Sequence, residues 1–257
     1  MSSRIYKTEA IVLKSSPYGE GHLLVTLLTR DGSKVRAMAW GARKPTSRKV
    51  GHLEPLTRVD LALSKGRDMD SISQAQNLEG YVAIKSNLEA TAMALYLAEL
   101  AEAFANQDSP NPALYRLFSV MLREIQSSSP PEVIVPYYQL NLLKVTGFMP
   151  EIYRCVECRK GVTPGQHRFS VDLGGLVCTQ CRPTGNVRLA PLSIEALRAL
   201  RFLHISEVPA LATVDMPAAL VRELRSLLDS SLRYWLDREV RAKGFMDHIG
   251  ATAGLKA

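Results

Sequence analysis

From Tyr6 to about Leu78 apolar and polar positions alternate in short runs separated by turn formers. The runs are "TEAIVLKS", "HLLVTLLT", "KVRAMAW" and "RVDLALS", and the punctuation is "SPYGEG", "RDGSK" and "KGRDMD". Such runs predict strands. Asp31-Gly32 between two of them predicts a hairpin, because glycine tolerates the positive φ of a tight turn. Four or five strands in roughly 75 residues suit a small barrel or sandwich, and a five-stranded barrel of the oligonucleotide-binding type is one solution of that size.

Near residue 80 the period becomes helical. "SNLEATAMALYLAELAEAFANQ" opens with Ser86 and Glu89 at the spacing of a capping box, followed by Leu88, Ala92, Leu95, Leu100 and Phe104 at helical intervals. A second helix is expected from Asn111 as cap to about Gln126, and a third from about Pro131 to Thr146, ended by Gly147. Ser193 caps a short helix to about Leu203. A longer one begins near Asp215 and Pro217 and sets Leu220, Leu224, Leu227, Leu228, Ser231 and Trp235 on its inner face. Its outer face carries Arg222, Arg225, Arg233, Arg238, Arg241 and Lys243 interleaved with acids, a pattern commoner in solvated faces than in binding sites. The expected fold class is multidomain α+β: a barrel domain over residues 1–80, then a mainly helical domain over 81–257 containing a small module at about 150–190.

Composition fits that picture. The 257 residues are 46% hydrophobic and 22% charged, as in ordinary globular proteins. Charged side chains interrupt "MSSRIYKTEAIVLK" where a secretory signal needs an apolar run, and no stretch approaches the roughly eighteen apolar residues of a membrane span. A cytoplasmic protein without membrane contact is expected. The net charge of +7 is unevenly spread: residues 1–80 hold thirteen basic and eight acidic side chains, and residues 154–190 six and two, whereas the segment between them is acidic. Concentrated positive charge suggests a surface that faces a polyanion.

The most specific motif is a pair of Cys-x-x-Cys units, "CVEC" at Cys155 and Cys158 and "CTQC" at Cys178 and Cys181, with 19 residues between them. Four thiols at this spacing in a reducing compartment predict one zinc ion held tetrahedrally in a small ribbon or finger. Four thiolates leave no position for a reactive water, so the zinc is expected to be structural. His167 lies between the pairs and is the alternative fourth ligand, with a lone surface histidine the favoured reading. A thiol oxidoreductase is the competing reading of the same motif, although the segment lacks the βαβ setting of thioredoxin-like chemistry. No phosphate-loop, H-E-x-x-H or G-x-S-x-G motif occurs, and the acids of "DMD" at Asp68 to Asp70 are weak as a magnesium site. No catalytic residue is identified, and no enzyme is expected.

The remaining feature is the stretch "AMAWGARKPTSRKVGHLEP", where Arg43, Lys44, Arg48 and Lys49 follow Trp40 with no acid among them. Here the sequence becomes familiar. "TEAIVLKSSPYGEGHLLVTLLTRDGSKVRAMAWGARKPTSR" and "LEPLTRVDLALSKGRDMDSISQAQNLEGY" strongly resemble the opening of the bacterial RecO family of DNA repair and recombination mediators. "LNLLKVTGFMPEIYRCVEC" and "FSVDLGGLVCTQC" resemble the subgroup that carries a four-cysteine zinc site. The resemblance spans nearly the whole chain and is weakest over its final 65 residues.

That resemblance implies an N-terminal oligonucleotide-binding barrel, a helical domain and a zinc module. It implies a protein that binds single- and double-stranded DNA and anneals complementary strands. With RecR it would load RecA on DNA covered by single-strand-binding protein, whose acidic, hydrophobic C-terminal tail it engages; RecA is thus an indirect partner, and the protein nucleoid-associated. On this reading Arg43, Lys44, Arg48 and Lys49, joined by Arg30, Lys34 and Arg36 of the preceding hairpin, neutralise phosphates and release condensed counterions. Trp40 and Tyr18 are candidate base-stacking faces, with core packing the favoured fate of Trp40. The alternative function is an RNA-binding zinc-ribbon protein of the translation apparatus.

Overall fold

The computed structural model describes residues 5–47, 49–127, 131–208, 211, 214–236 and 240–252. The chain divides into two compact units, Met1–Ser127 with Val240–Ile249, and Ser128–Glu239 with Gly250–Ala257. The barrel and its helices form the first; the cysteine module lies in the second. The periodicity boundary near residue 80 therefore separates barrel from helix, whereas chain compactness divides the molecule after residue 127.

In the first unit, strands β1 (Ile5–Tyr18), β2 (His22–Thr29), β3 (Lys34–Ala39), β4 (Arg58–Ser64) and β5 (Asp70–Glu79) close a barrel in the order β1-β2-β3-β5-β4. β1 serves two neighbours, pairing with β4 over Ile5 to Ile11 and with β2 over Ala10 to Tyr18. A register shift between Val12 and Lys14 marks the bulge that bends it between them. Closure comes from the parallel pairing of Ala37 and Met38 with Asp70 and Ser71. Alternate residues Ala10 and Val12, Leu23, Val25 and Leu27, Ala37 and Ala39, and Val59, Leu61 and Leu63 fill the interior. Ile11, Leu13 and Leu28 point to the other face and are equally buried, and helix α2 (Leu88–Phe104) packs against β1 and β2. Burial on both faces explains why "AIVL" and "LLVTLL" read as nearly continuous apolar runs.

Three helices follow the barrel: the short α1 (Val82–Lys85), then α2 and α3 (Pro112–Gln126). The expected capping box at Ser86 is not formed. Asn87 is the cap and accepts from the Ala90 amide at 3.0 Å, while the Ser86 hydroxyl donates to the Ala83 carbonyl. An asparagine one position later moves the cap by one residue and satisfies the Ala90 amide where Ser86 would have met that of Glu89. α3 starts as expected, with Asn111 accepting from Leu114 N and Pro112 in the first turn. The tip of the β2–β3 hairpin meets this layer. Gly32 has φ +81°, and a Cβ there would lie 1.8 Å from the Asn111 carbonyl oxygen, so both its turn and its packing require glycine.

The second unit contains α4 (Pro131–Val145), a three-stranded sheet of order β7-β6-β8, α5 (Ile194–Ile205) and α6 (Ala218–Leu236). The strands are β6 (His167–Ser170), β7 (Gly175–Val177) and β8 (Ala190–Leu192). Gly147, with φ +84°, ends α4 as expected. α4 packs on α5 and α6, and the Gln139 amide donates to the buried Asp229 carboxylate at 2.7 Å. Ser193 caps α5 through its hydroxyl. On α6, Leu224, Leu227, Leu228 and Ser231 are buried as expected, but Trp235 is 46% exposed and stacks on Phe148 instead of entering a core. Arg241 and Lys243, expected on the outer face of this helix, belong to a separate helix α7 (Arg241–Thr252), and Arg238 lies outside the described residues. α7 belongs to the first unit, where Glu99 of α2 accepts from the Arg241 and Ala242 amides at 2.9 and 2.6 Å. A carboxylate there complements the positive end of the helix.

Candidate nucleic-acid interface and metal centre

The loop after β3 is anchored at its base and open at its tip. Ala42 and Leu53 are fully buried in the barrel core. Turns lead out from Ala42, with Lys44 N donating to Gly41 O and Ser47 N to Lys44 O. Arg43 N donates to Gly21 O at 3.1 Å, which ties the loop to the β1–β2 turn, and Gly41 N donates to His22 Nδ1 at 2.9 Å. The His22 ring in turn meets Trp40 edge to face at 4.8 Å. Trp40 is 55% exposed, so the expectation of core packing is corrected: Ala39 and Ala42 take the inward positions on either side of it. Tyr18, paired with His22 across the β1–β2 turn, is 52% exposed. Tyr18, Trp40, Arg43 and Lys44 are therefore gathered at one end of the barrel.

The other cations named from sequence are distributed differently. Arg36 is exposed on β3, opposite Thr26. Lys34 and Arg30 stand at the hairpin, about 20 Å from Trp40 at roughly 3.4 Å of rise per strand residue. Lys34 Nζ donates to the Glu102 carbonyl at 2.9 Å, in the last turn of α2 where a cation suits the helix end. Arg30 lies 3.8 Å from Glu9. Lys49 Nζ donates to the Ile72 carbonyl at 3.1 Å, which pins the loop to β5. Arg48 lies outside the described residues. Among the described members of the set, Arg36, Arg43 and Lys44 have side chains not committed to the fold in this way. Asp70 of the "DMD" stretch is buried, accepts from Tyr6 Oη and Gly66 N, and pairs with Lys65, so its role is to close the β4–β5 turn.

The four cysteines converge. The sulfurs of Cys155, Cys158, Cys178 and Cys181 all lie within 4.8 Å of one another, and Cys158 and Cys178 are 3.9 Å apart. A tetrahedral ion with metal–sulfur bonds of about 2.3 Å requires sulfurs about 3.8 Å apart, so the set is close enough to hold one metal ion. His167 is not part of it; its Nε2 meets the Thr163 carbonyl. The first pair sits in a tight turn: Arg159 N donates to Cys155 O, Cys155 N to Lys160 O, and Arg159 takes the left-handed region at φ +60°. Burial pushes the Cys155 thiol up, but amides of Cys178, Cys158 and Glu157 outweigh this and bring it down to about 6. Hydrogen bonding to Cys178, burial, and the other two sulfurs push Cys181 up to about 12.

Two arginines fasten this centre; the sequence had shown Arg168 only within the positive charge of residues 154–190, and had not singled out Arg201. Arg168 of β6 donates to the carbonyls of Cys181 and Cys178, and Arg201 of α5 donates to Ile152 O at 2.9 Å and Val162 O at 2.7 Å while covering the Tyr153 ring. Gly175 admits the Glu151 backbone, which a Cβ would approach to 2.5 Å. Carbonyl-capping arginines leave no periodic signature, so only the folded arrangement identifies them.

Strand order, helical region and thiol cluster define the class: a multidomain α+β protein with an oligonucleotide-binding-type barrel and a four-cysteine module. Comparison with known families makes this specific. Residues 1–81 match the family described as recombination protein O N terminal, and residues 85–244 match recombination protein O C terminal. The chain belongs to the recombination protein O family. It is 35% identical over 249 residues to the DNA repair protein RecO of Desulforudis audaxviator (strain MP104C), covering 96% of this chain and 98% of that protein. It is 33% identical over 254 residues to the DNA repair protein RecO of Pelotomaculum thermopropionicum (strain DSM 13744 / JCM 10971 / SI), covering 98% and 97%. The DNA repair protein RecO of Dehalococcoides mccartyi (strain ATCC BAA-2100 / JCM 16839 / KCTC 5957 / BAV1) is 30% identical over 245 residues, 95% of this chain and 96% of its own length.

Proposed function

We propose that this chain is a non-catalytic mediator of DNA repair and homologous recombination. It binds single- and double-stranded DNA and anneals complementary strands. With RecR it loads RecA onto strands covered by single-strand-binding protein, engaging that protein's C-terminal tail. The observation that carries the reading is the anchored loop at one barrel end, where Arg43 and Lys44 stand beside exposed Trp40 and Tyr18. Cations at that position exchange condensed counterions for fixed charge, a sequence-independent gain, and the aromatic faces take stacked bases. Family membership and near full-length relatives named DNA repair proteins support the biological role. The ion suited to four thiolates is zinc. With its coordination filled by protein it holds the module together and supplies no reactive water.

Annealing of complementary strands already coated with single-strand-binding protein tests DNA contact and partner engagement together. The chain is expected to accelerate it without ATP. Acceleration absent on coated strands and on bare strands alike contradicts the proposal.

A further inference from the structure

We infer that the groove between the cysteine module and α6 is a second nucleic-acid site, which holds one strand while the barrel holds its complement. The inference rests on the proposed annealing function. It arises from a groove of about 1460 Å³, larger than the roughly 300 to 1,000 Å³ of small-molecule pockets and suited to a length of polymer.

Arginines line this groove from three directions. Arg168 and Arg182 enter from the cysteine side, Arg188 precedes β8, and Arg233 projects from α6. Acids nearby are already engaged. Glu223 accepts from both the amide and the hydroxyl of Ser193 at 2.7 Å, and Asp172 accepts from Arg188 N and Nη2, leaving the Arg188 side chain 84% exposed. Arg182 and Arg233 are exposed and, among the described residues, have no carboxylate partner. On α6 the groove is lined by Ser226 and Ser230, one turn apart, together with Glu223 and Leu227; the two short serine side chains leave room for a ribose-phosphate chain, and Tyr234 is 45% exposed next to Arg233. Spaced cations beside an exposed aromatic face are the chemistry of single-strand binding. The adjoining sheet edge disfavours an added peptide strand, because Pro191 at the centre of β8 has no N–H to offer. The wall is also built on the metal centre: Arg182 follows Cys181, and Arg168 caps the Cys181 and Cys178 carbonyls.

The test uses two non-complementary 15-nucleotide single strands, one carrying a fluorescence donor and the other an acceptor, mixed with equimolar full-length protein. Energy transfer between the strands is expected with the native chain. Arg182→Glu with Arg233→Glu should weaken the second strand at least tenfold and slow annealing of bare complementary strands to the same degree. Affinity for the first strand should change less than twofold, and Arg182→Lys with Arg233→Lys should retain transfer. Unchanged circular dichroism and metal content exclude misfolding of the variants. Undiminished transfer in the glutamate variant overturns the inference, as does absence of transfer with the native chain. An oligo-aspartate peptide that binds the native chain but not the glutamate variant, with no co-occupancy of strands, assigns the groove to acidic peptides and also overturns it. Arg36→Ala, Arg43→Ala and Lys44→Ala combined, run in parallel, should lose the first strand. If that variant binds the first strand normally, the barrel reading fails separately from the groove.

Discussion

At the scale of single residues, Trp40 and Glu9 are the most informative. Trp40 is exposed and contributes nothing to the core, so Trp40→Ala should leave the thermal midpoint nearly unchanged. Loss of a stacked base costs about 1 to 3 kcal/mol, so single-strand affinity, read by titration of a labelled oligonucleotide, should fall roughly 5- to 150-fold. Glu9 has the opposite role. Burial pushes its carboxyl up, but the Tyr115 hydroxyl at 2.6 Å and Arg58 at 3.0 Å prevail and hold it below the ordinary carboxylate range. A depressed carboxyl contributes stability fully above its unfolded value of about 4.3, and that contribution is lost as pH falls through the folded value. Glu9→Gln should therefore lower the thermal midpoint at neutral pH, and the difference from the native chain should close as pH falls below about 4. A constant difference across that range would contradict the assignment. The sequence made Arg43 and Lys44 visible as a run of cations without acids, and the four cysteines visible by spacing. It did not distinguish them from Lys34 and Lys49, whose ammonium groups bond to carbonyls 68 and 23 residues away. Local pattern carries no record of such distant partners.

At the scale of elements, the cysteine module is the most separable part. Its sheet strands are three and four residues long, too short to persist without the four thiols drawn together. Chelation under mild conditions, or Cys181→Ser, should make residues near 150–190 sensitive to protease while the fragment containing the barrel survives. Equal sensitivity of both regions would show that the module is not metal-dependent. Gly175→Ala should weaken the same region, since a Cβ collides with the Glu151 backbone. Much of this level was legible: the hairpin at Asp31-Gly32, the cap at Asn111, the stop at Gly147 and the cap at Ser193 all form. These are local devices in which side chain and backbone partner lie within a few residues. The fifth strand was less distinct because "DSISQAQNLE" exposes most of its polar residues. α7 was missed because its start is held by Glu99 of α2, more than 140 residues away.

At the scale of the whole molecule, the charge distribution carries the functional reading. Net positive charge is concentrated in the barrel and cysteine segments, with acidic helices between them in sequence. The described residues contain no helix long and apolar enough to cross a membrane. On the proposed function, such a distribution would direct a polyanion to these segments and make its binding strongly salt-dependent. The most direct measurement is the dependence of single-strand affinity on salt concentration for the native chain and for the combined Arg36→Ala, Arg43→Ala and Lys44→Ala variant. The native chain should lose affinity steeply as salt rises, and the variant should bind more weakly with a log–log slope shallower by about 2, near 0.7 per phosphate contact removed. A variant with the native slope and affinity would contradict the placement of nucleic acid on this end of the barrel.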